Sequence, residues 1–301
     1  MLFLLISVVC SVAVSVLLKV ARSNNVDLAQ AIAVNYPIAA VCAWYFLRPN
    51  IIQVATDWQH VALFAALGVL LPSVFVLMGK AVAAAGIVKA DAAQRLSLFL
   101  PIVAAFVWFH ETLTPNKVMG IVLAFVALLA LLYHAPIMAK GKSSKGRSQG
   151  SMMAQAALLL GVWLGYGLID ILFKQMAKSG QVFGATLLVS FVLAGVLIFA
   201  WLLCKRTKWT AASILSGLLL GCLNFANILF YIRAHQAYSS NPALVFAGMN
   251  LGVIVLGTLI GGWVFKEKIH TINAAGIVLA LAAIVCLFYW PTLQTMMPAW
   301  H

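Results

Sequence analysis

Apolar residues run almost unbroken along this chain, interrupted at intervals by short polar clusters. The uninterrupted stretches fall at about 2–20, 28–47, 58–79, 88–109, 115–134, 152–173, 182–203, 211–232, 242–264 and 271–290. Each is long enough to cross a bilayer as a helix, the form that satisfies every backbone amide and carbonyl within the segment. Local start signals agree with these cuts. Thr114-Pro115 and Asn241-Pro242 each read as an N-cap followed by proline at the first helical position, where its missing N–H is no loss. Residues 139–151, rich in Lys, Gly and Ser, read instead as a flexible linker near the middle of the chain.

Composition sharpens this picture. Of 301 residues, 64% are hydrophobic and 8% charged, against about a quarter charged in soluble domains. Ten spans leave no room for a soluble catalytic domain or a folded nucleic-acid module, so neither an enzyme nor nucleic-acid binding is expected. The five cysteines stand singly, without metal-ligand spacing, and read as small buried hydrophobes. His110-Glu111 begins a zinc-protease pattern, but Thr114 stands where its second histidine belongs. No metal or cofactor is expected. The apolar stretch from Leu2 to Leu18 has no basic residue before it and no small-residue cleavage site after it, so it reads as a permanent first span.

The chain also repeats itself. Gly-Ile-Val-Leu-Ala occurs at 120–124 and again at 276–280, an offset of 156 that also relates Phe109-His110-Glu111 to Phe265-Lys266-Glu267. Leu17-Leu18-Lys19 aligns with Leu172-Phe173-Lys174 at 155, and Gly68 with Gly221 at 153. A duplicated five-helix unit accounts for these matches. Residues 1–134 form the first repeat, 135–151 a basic linker, 152–290 the second repeat and 291–301 a short tail. Because five is odd, the second unit enters the membrane upside down. The expected fold is therefore an all-α integral membrane protein of ten transmembrane helices in two inverted repeats. That is a transporter architecture, with its substrate site between the halves near the midplane. One chain completes such a bundle, so a monomer suffices and a dimer stays open.

Charge orients the bundle. Connections after spans 1, 3, 5, 7 and 9 hold Lys19, Arg22, Lys80, Lys89, Lys140, Lys142, Lys145, Arg147, Lys205, Arg206, Lys208, Lys266 and Lys268. The other face holds Arg48, Lys117, Lys174, Lys178 and Arg233. The larger set belongs in the cytoplasm of a multi-pass inner (plasma) membrane protein, which puts the linker there and both termini outside.

Two five-helix units, each with a phenylalanine-x-glutamate junction and a glycine-led final helix (Gly120, Gly276), and with Pro101 in the fourth span, resemble the drug/metabolite transporter superfamily, EamA type. The likeness runs from the first span to about Tyr289. It implies a ten-helix basket that moves small metabolites, often outward, by proton coupling or exchange. The usual junction is glycine-glutamate, whereas His110-Glu111 and Lys266-Glu267 stand here. Many members are drawn with both termini cytoplasmic, against the charge bias of this chain. Glu111 and Glu267 are expected to be structural, near helix N-termini where negative charge is favourable.

Polar residues within the spans supply candidates for chemistry. Ser7, Ser11, Ser15 and Lys19 recur every four residues, and the offset of 155 converts them to Val162, Tyr166, Asp170 and Lys174. Each four-residue step advances about 40°, making two slowly winding stripes. Ionisable groups inside spans usually face the bundle interior. Asp170 would take a coupling proton or bind a substrate amine, or else pair with Lys174 one turn on. Lys19 and Lys174 would otherwise snorkel to the interface. Asp91, Gln94 and Arg95 share one face; Arg95 would hold a carboxylate or phosphate, or pair with Asp91. Gln94 aligns with Asn250, while Asn224, Asn227 and Tyr231 share a face of the eighth span, either to read a polar substrate or to tie helices together. Gly161/Gly165, Gly217/Gly221 and Gly257/Gly261 read as packing seams.

The function expected from all this is secondary active transport of a small polar metabolite, amino-acid-like or otherwise zwitterionic or anionic, or of a drug. Its partners would be that substrate, the lipid bilayer and protons as coupling ion. A lipid flippase of the same fold is the alternative, and a channel or intramembrane enzyme ranks lower.

Overall fold

A computed structural model describes residues 1–24, 26–50, 58–132, 149–264, 266 and 271–288, and all of its regular elements are helical. Most of the basic linker, Glu267 and the tail lie outside the described residues. The helices are α1 (Leu2–Ser23), α2 (Leu28–Leu47), α3 (Trp58–Ala85), α4 (Ile87–Leu96), α5 (Phe99–Val107), α6 (Pro115–Leu132), α7 (Gln149–Lys178), α8 (Phe183–Cys204), α9 (Ala211–Ala237), α10 (Pro242–Val264) and α11 (Thr271–Phe288). Among the described residues, nine stretches are long and apolar enough to cross a membrane, α4 and α5 together forming one of them as Lys89–Val107; Pro115–Leu131 is a shorter apolar helix. The chain is thus a helical protein of the multi-pass membrane kind.

The fourth span is not the single helix expected at 88–109. It breaks at Ser97-Leu98, and the break follows from Pro101. Proline has no N–H to return to the Ser97 carbonyl. Leu100 N–H closes on that carbonyl instead at 3.0 Å, which strips Leu96 O of its usual partner. The Trp163 indole N–H of α7 fills the vacancy, donating to Leu96 O at 3.0 Å. Interrupted backbone in a span is tolerated where a neighbouring helix re-satisfies it in this way.

Helices that precede the linker (α1–α6) pack chiefly on helices that follow it (α7–α11). α1 lies on α9 and α10, α2 on α8 and α9, α3 on α7 and α8, and α6 on α11, while α4 and α5 lie on α7. Small residues allow the approach. A Cβ on Gly68 of α3 would stand 2.6 Å from Leu193 of α8, and one on Gly221 of α9 would stand 2.6 Å from Ile38 of α2. Gly120 meets Leu287 and Gly276 meets Leu131 in the same intimate fashion. Gly161 and Gly165 pack on Leu77 and Val74, as their spacing suggests. The Gly257/Gly261 seam does not form as expected, since nothing lies within 4 Å of a Cβ placed on Gly257. The close face of α10 is instead Gly248/Gly252, set against Leu4 and Val8 of α1.

Caps tie the halves together at both ends. Gln30 is buried at the start of α2, where its Nε2 donates to Lys208 O at 2.6 Å and its Oε1 accepts from Thr210 N. At the opposite face Glu111 Oε2 accepts from the Ala243 amide at 2.8 Å, and Lys117 Nζ pairs with its other oxygen at 3.0 Å. Glu111 thus caps α10, in the other half of the chain, rather than the helix that follows it. Asn241 does not cap α10 as expected; its Nδ2 donates to Ser240 Oγ. Thr114 does cap α6, accepting from Lys117 N.

Candidate functional site

The interior of the bundle holds a cavity of about 190 Å³. Ser11 of α1, Gln94 and Arg95 of α4, and Ser97 at the break reach it from the first half. Tyr166 and Asp170 of α7, Asn224, Asn227 and Tyr231 of α9, and Asn250 of α10 reach it from the second. Leu71, Val74 and Phe75 of α3, with Ile169, Phe173, Ile228, Met249 and Val253, give it apolar walls. It is therefore bounded by the first, third and fourth spans of each half. Ser11, Leu71, Ser97, Tyr166, Asn224 and Asn250 each lie within about three residues of the middle of their span, near the depth at which secondary transporters bind substrate.

Within the cavity, Tyr231 Oη donates to Asp170 Oδ1 at 3.1 Å. No Asp170–Lys174 ion pair forms among the described residues. Lys174 instead reaches the C-terminal end of α9, donating to Ser239 O at 3.0 Å and His235 O at 3.4 Å. Arg95 Nε lies 3.6 Å from Asp91 Oδ1, so the intrahelical pair is present and the guanidinium still borders the cavity. Asn227 ties helices together, since its Oδ1 and its main-chain O both accept from Ser7 Oγ of α1. Asn250 Nδ2 returns to its own helix at Phe246 O.

Gln94, Arg95, Tyr166, Asp170, Asn224, Asn227, Tyr231 and Asn250 thus converge, whereas Ser15, Lys19, Asp91 and Lys174 do not line this cavity. Geometry explains the four exceptions. Over three four-residue steps the α1 stripe turns about 120°, so Ser7 is buried, Ser11 faces the cavity, and Ser15 and Lys19 are exposed. In α7 the same drift carries Lys174 out of the cavity to the membrane-end pocket described below. Asp91 sits one turn from Arg95, toward the helix end and half-exposed. Ser97 was not anticipated, although Pro101 four residues later marks it as a place where the helix must open. His235 also escaped notice. It is wholly buried between Tyr231 and Phe246, at ring distances of 4.8 and 4.6 Å, and among the described residues neither of its ring nitrogens has a hydrogen-bond partner.

No family model matches the chain. An uncharacterized protein of Haemophilus influenzae is 53% identical over 291 residues, spanning 95% of this chain and 97% of that protein. The chain belongs to the same family as that protein. A protein of known crystal structure shares the fold, with a TM-score of 0.70 at 12% identity over 99% of this chain and 98% of that one.

Proposed function

We propose that this protein is a secondary transporter of the drug/metabolite type, moving a small zwitterionic or anionic solute by alternating access. The observation that carries this reading is the polar cavity at mid-span, walled by corresponding helices of both halves and placed at a broken fourth span. Reciprocal packing supports two inverted five-helix repeats, 1–134 and 152–290. Shifting by 156 interchanges Gly120–Leu287 with Leu131–Gly276, and shifts of 153 and 155 interchange Gly68–Leu193 with Gly221–Ile38. The main pairings between the halves, α1 on α9 and α10 against α7 on α3, α4 and α5, and α2 on α9 against α8 on α3, are likewise interchanged when the halves are exchanged.

The cavity contents favour a zwitterion. Arg95 suits a carboxylate. Asp170 on the opposite wall suits an amine or a transported proton. At about 190 Å³, the space falls below the roughly 300 Å³ at which drug-sized pockets begin, which favours a small metabolite over a drug. A lipid substrate would need far more apolar room. The charge bias keeps the linker cytoplasmic and the termini outside in this reading.

The test is exchange in liposomes loaded with a mixed metabolite extract and followed by mass spectrometry against empty liposomes. Selective, saturable loss of one compound class is expected. Arg95→Gln should weaken recognition of a carboxylate substrate roughly 10- to 100-fold, the worth of a charge-assisted hydrogen bond. Asp170→Asn should leave exchange intact while abolishing uptake driven by a pH gradient. No selective movement with or without a gradient would overturn the transport reading, and selective loss of phospholipid would replace it with a flippase.

A further inference from the structure

A second pocket, of about 530 Å³, opens at the end of the bundle opposite the linker, where α7 and α9 end and α8 begins. Lys174, Lys178 and Arg233 all line it, and none of its lining residues is acidic. Charge bias explains the thirteen cations of the other face but not these, because a basic residue on the minority face opposes the preferred topology. Three of the five cations assigned to that face gather at this one opening.

Complementing helix dipoles does not account for them. The C-termini of α7 and α9 together present about one negative charge, which leaves roughly two positive charges unmatched. Among the described residues no ion pair to these cations forms. Lys178 Nζ sits 4.5 Å from the centre of the Phe109 ring, and the Arg233 guanidinium 5.0 Å from that of Phe183 while it donates to Gln236 Oε1. Lys174, only 1% exposed, donates to two main-chain carbonyls and lies 6.0 Å from the centre of the Phe109 ring. Glu111, near enough to act on it electrostatically, is already held by Lys117 and the Ala243 amide. His235 borders the same pocket, both of its ring nitrogens unpartnered among the described residues.

We infer that this opening is an oxyanion-binding site, taking a carboxylate or phosphate between Lys174, Lys178 and Arg233. As a binding site it stands apart from transport; if the transport reading holds, it is the mouth at which an anionic solute is gathered. The oxyanion would come from a soluble metabolite or from a lipid headgroup, and one experiment separates the two.

The full chain is placed in phosphatidylcholine nanodiscs at a fixed ionic strength of about 0.15 M. Its unfolding midpoint is followed as inorganic phosphate or succinate replaces chloride, and in parallel discs containing phosphatidylglycerol. A saturable rise with a soluble anion is expected. The double variant Lys178→Gln/Arg233→Gln, which alters exposed side chains, should raise half-saturation roughly tenfold or more. Lys205→Gln/Arg206→Gln, which removes two exposed cations from the other face, should leave it unchanged. A response confined to phosphatidylglycerol supports the site with a headgroup as its source. No response to any of the three, or an undiminished response in the first double variant, overturns it. Binding without transport would sink the transport reading alone, and transport without binding would sink this site alone.

Discussion

His110 and Lys266 both hold a left-handed backbone, each at φ 55°. They occupy the junction position where the resembling superfamily usually carries glycine, and the geometry supplies the reason: only glycine adopts this conformation without cost. A residue with a Cβ loses about 1–2 kcal/mol there, while glycine returns some 0.4–1 kcal/mol of that to the unfolded chain. His110→Gly should therefore stabilise the protein by a net of about 0.5–1 kcal/mol, read as a higher unfolding midpoint in detergent. A lower midpoint would mean that the imidazole makes a contact worth more than the strain. The strain persists because the next residue is fixed from outside. Glu111 is anchored on the Ala243 amide and Lys117, so the chain must turn sharply to deliver it.

At the scale of the element, the fourth span is the most consequential. Its break places Ser97 at the cavity, and Pro101 causes it. Pro101→Ala restores an amide that can close on Ser97 O. The expected result is slower hydrogen exchange through 97–102 and, under the proposed function, impaired transport; unchanged hydrogen exchange would show that Trp163 alone holds the helix open. The spans themselves were legible because lipid forbids unsatisfied backbone, so an apolar stretch of sufficient length admits almost no alternative. The break was not, since whether a proline bends or severs a helix depends on what reaches the freed carbonyl. Here that is an indole 67 residues away along the chain. The candidate cavity was legible through Asp170, Asn224, Asn227 and Gln94, polar groups too costly to leave in lipid. Ser15 and Lys19 fall outside the cavity because a four-residue stripe looks straight in sequence yet winds around the helix. Glu111 was recognisable as a helix-terminal acid, but its partner lies in the other half of the chain, beyond any local pattern.

For the molecule as a whole, the decisive feature is that most helices lean on the opposite half. Until α8 and α9 arrive, α2 has little to pack on, and α6 must wait for α11. Expressed as two separate chains split in the linker, each half should be degraded or misassembled, and co-expression should recover a folded complex measured by co-purification. A first half that is stable on its own would contradict this. Such long-range pairing has a cost in time. At about 5–20 residues per second, synthesis of the second half takes roughly 10–30 s, during which the faces of α2 and α6 that will meet the second half are left to lipid. The nascent protein therefore needs either shelter at the insertion machinery or helices apolar enough to survive unpaired, and its seams of small residues are completed only by exchanging lipid for protein.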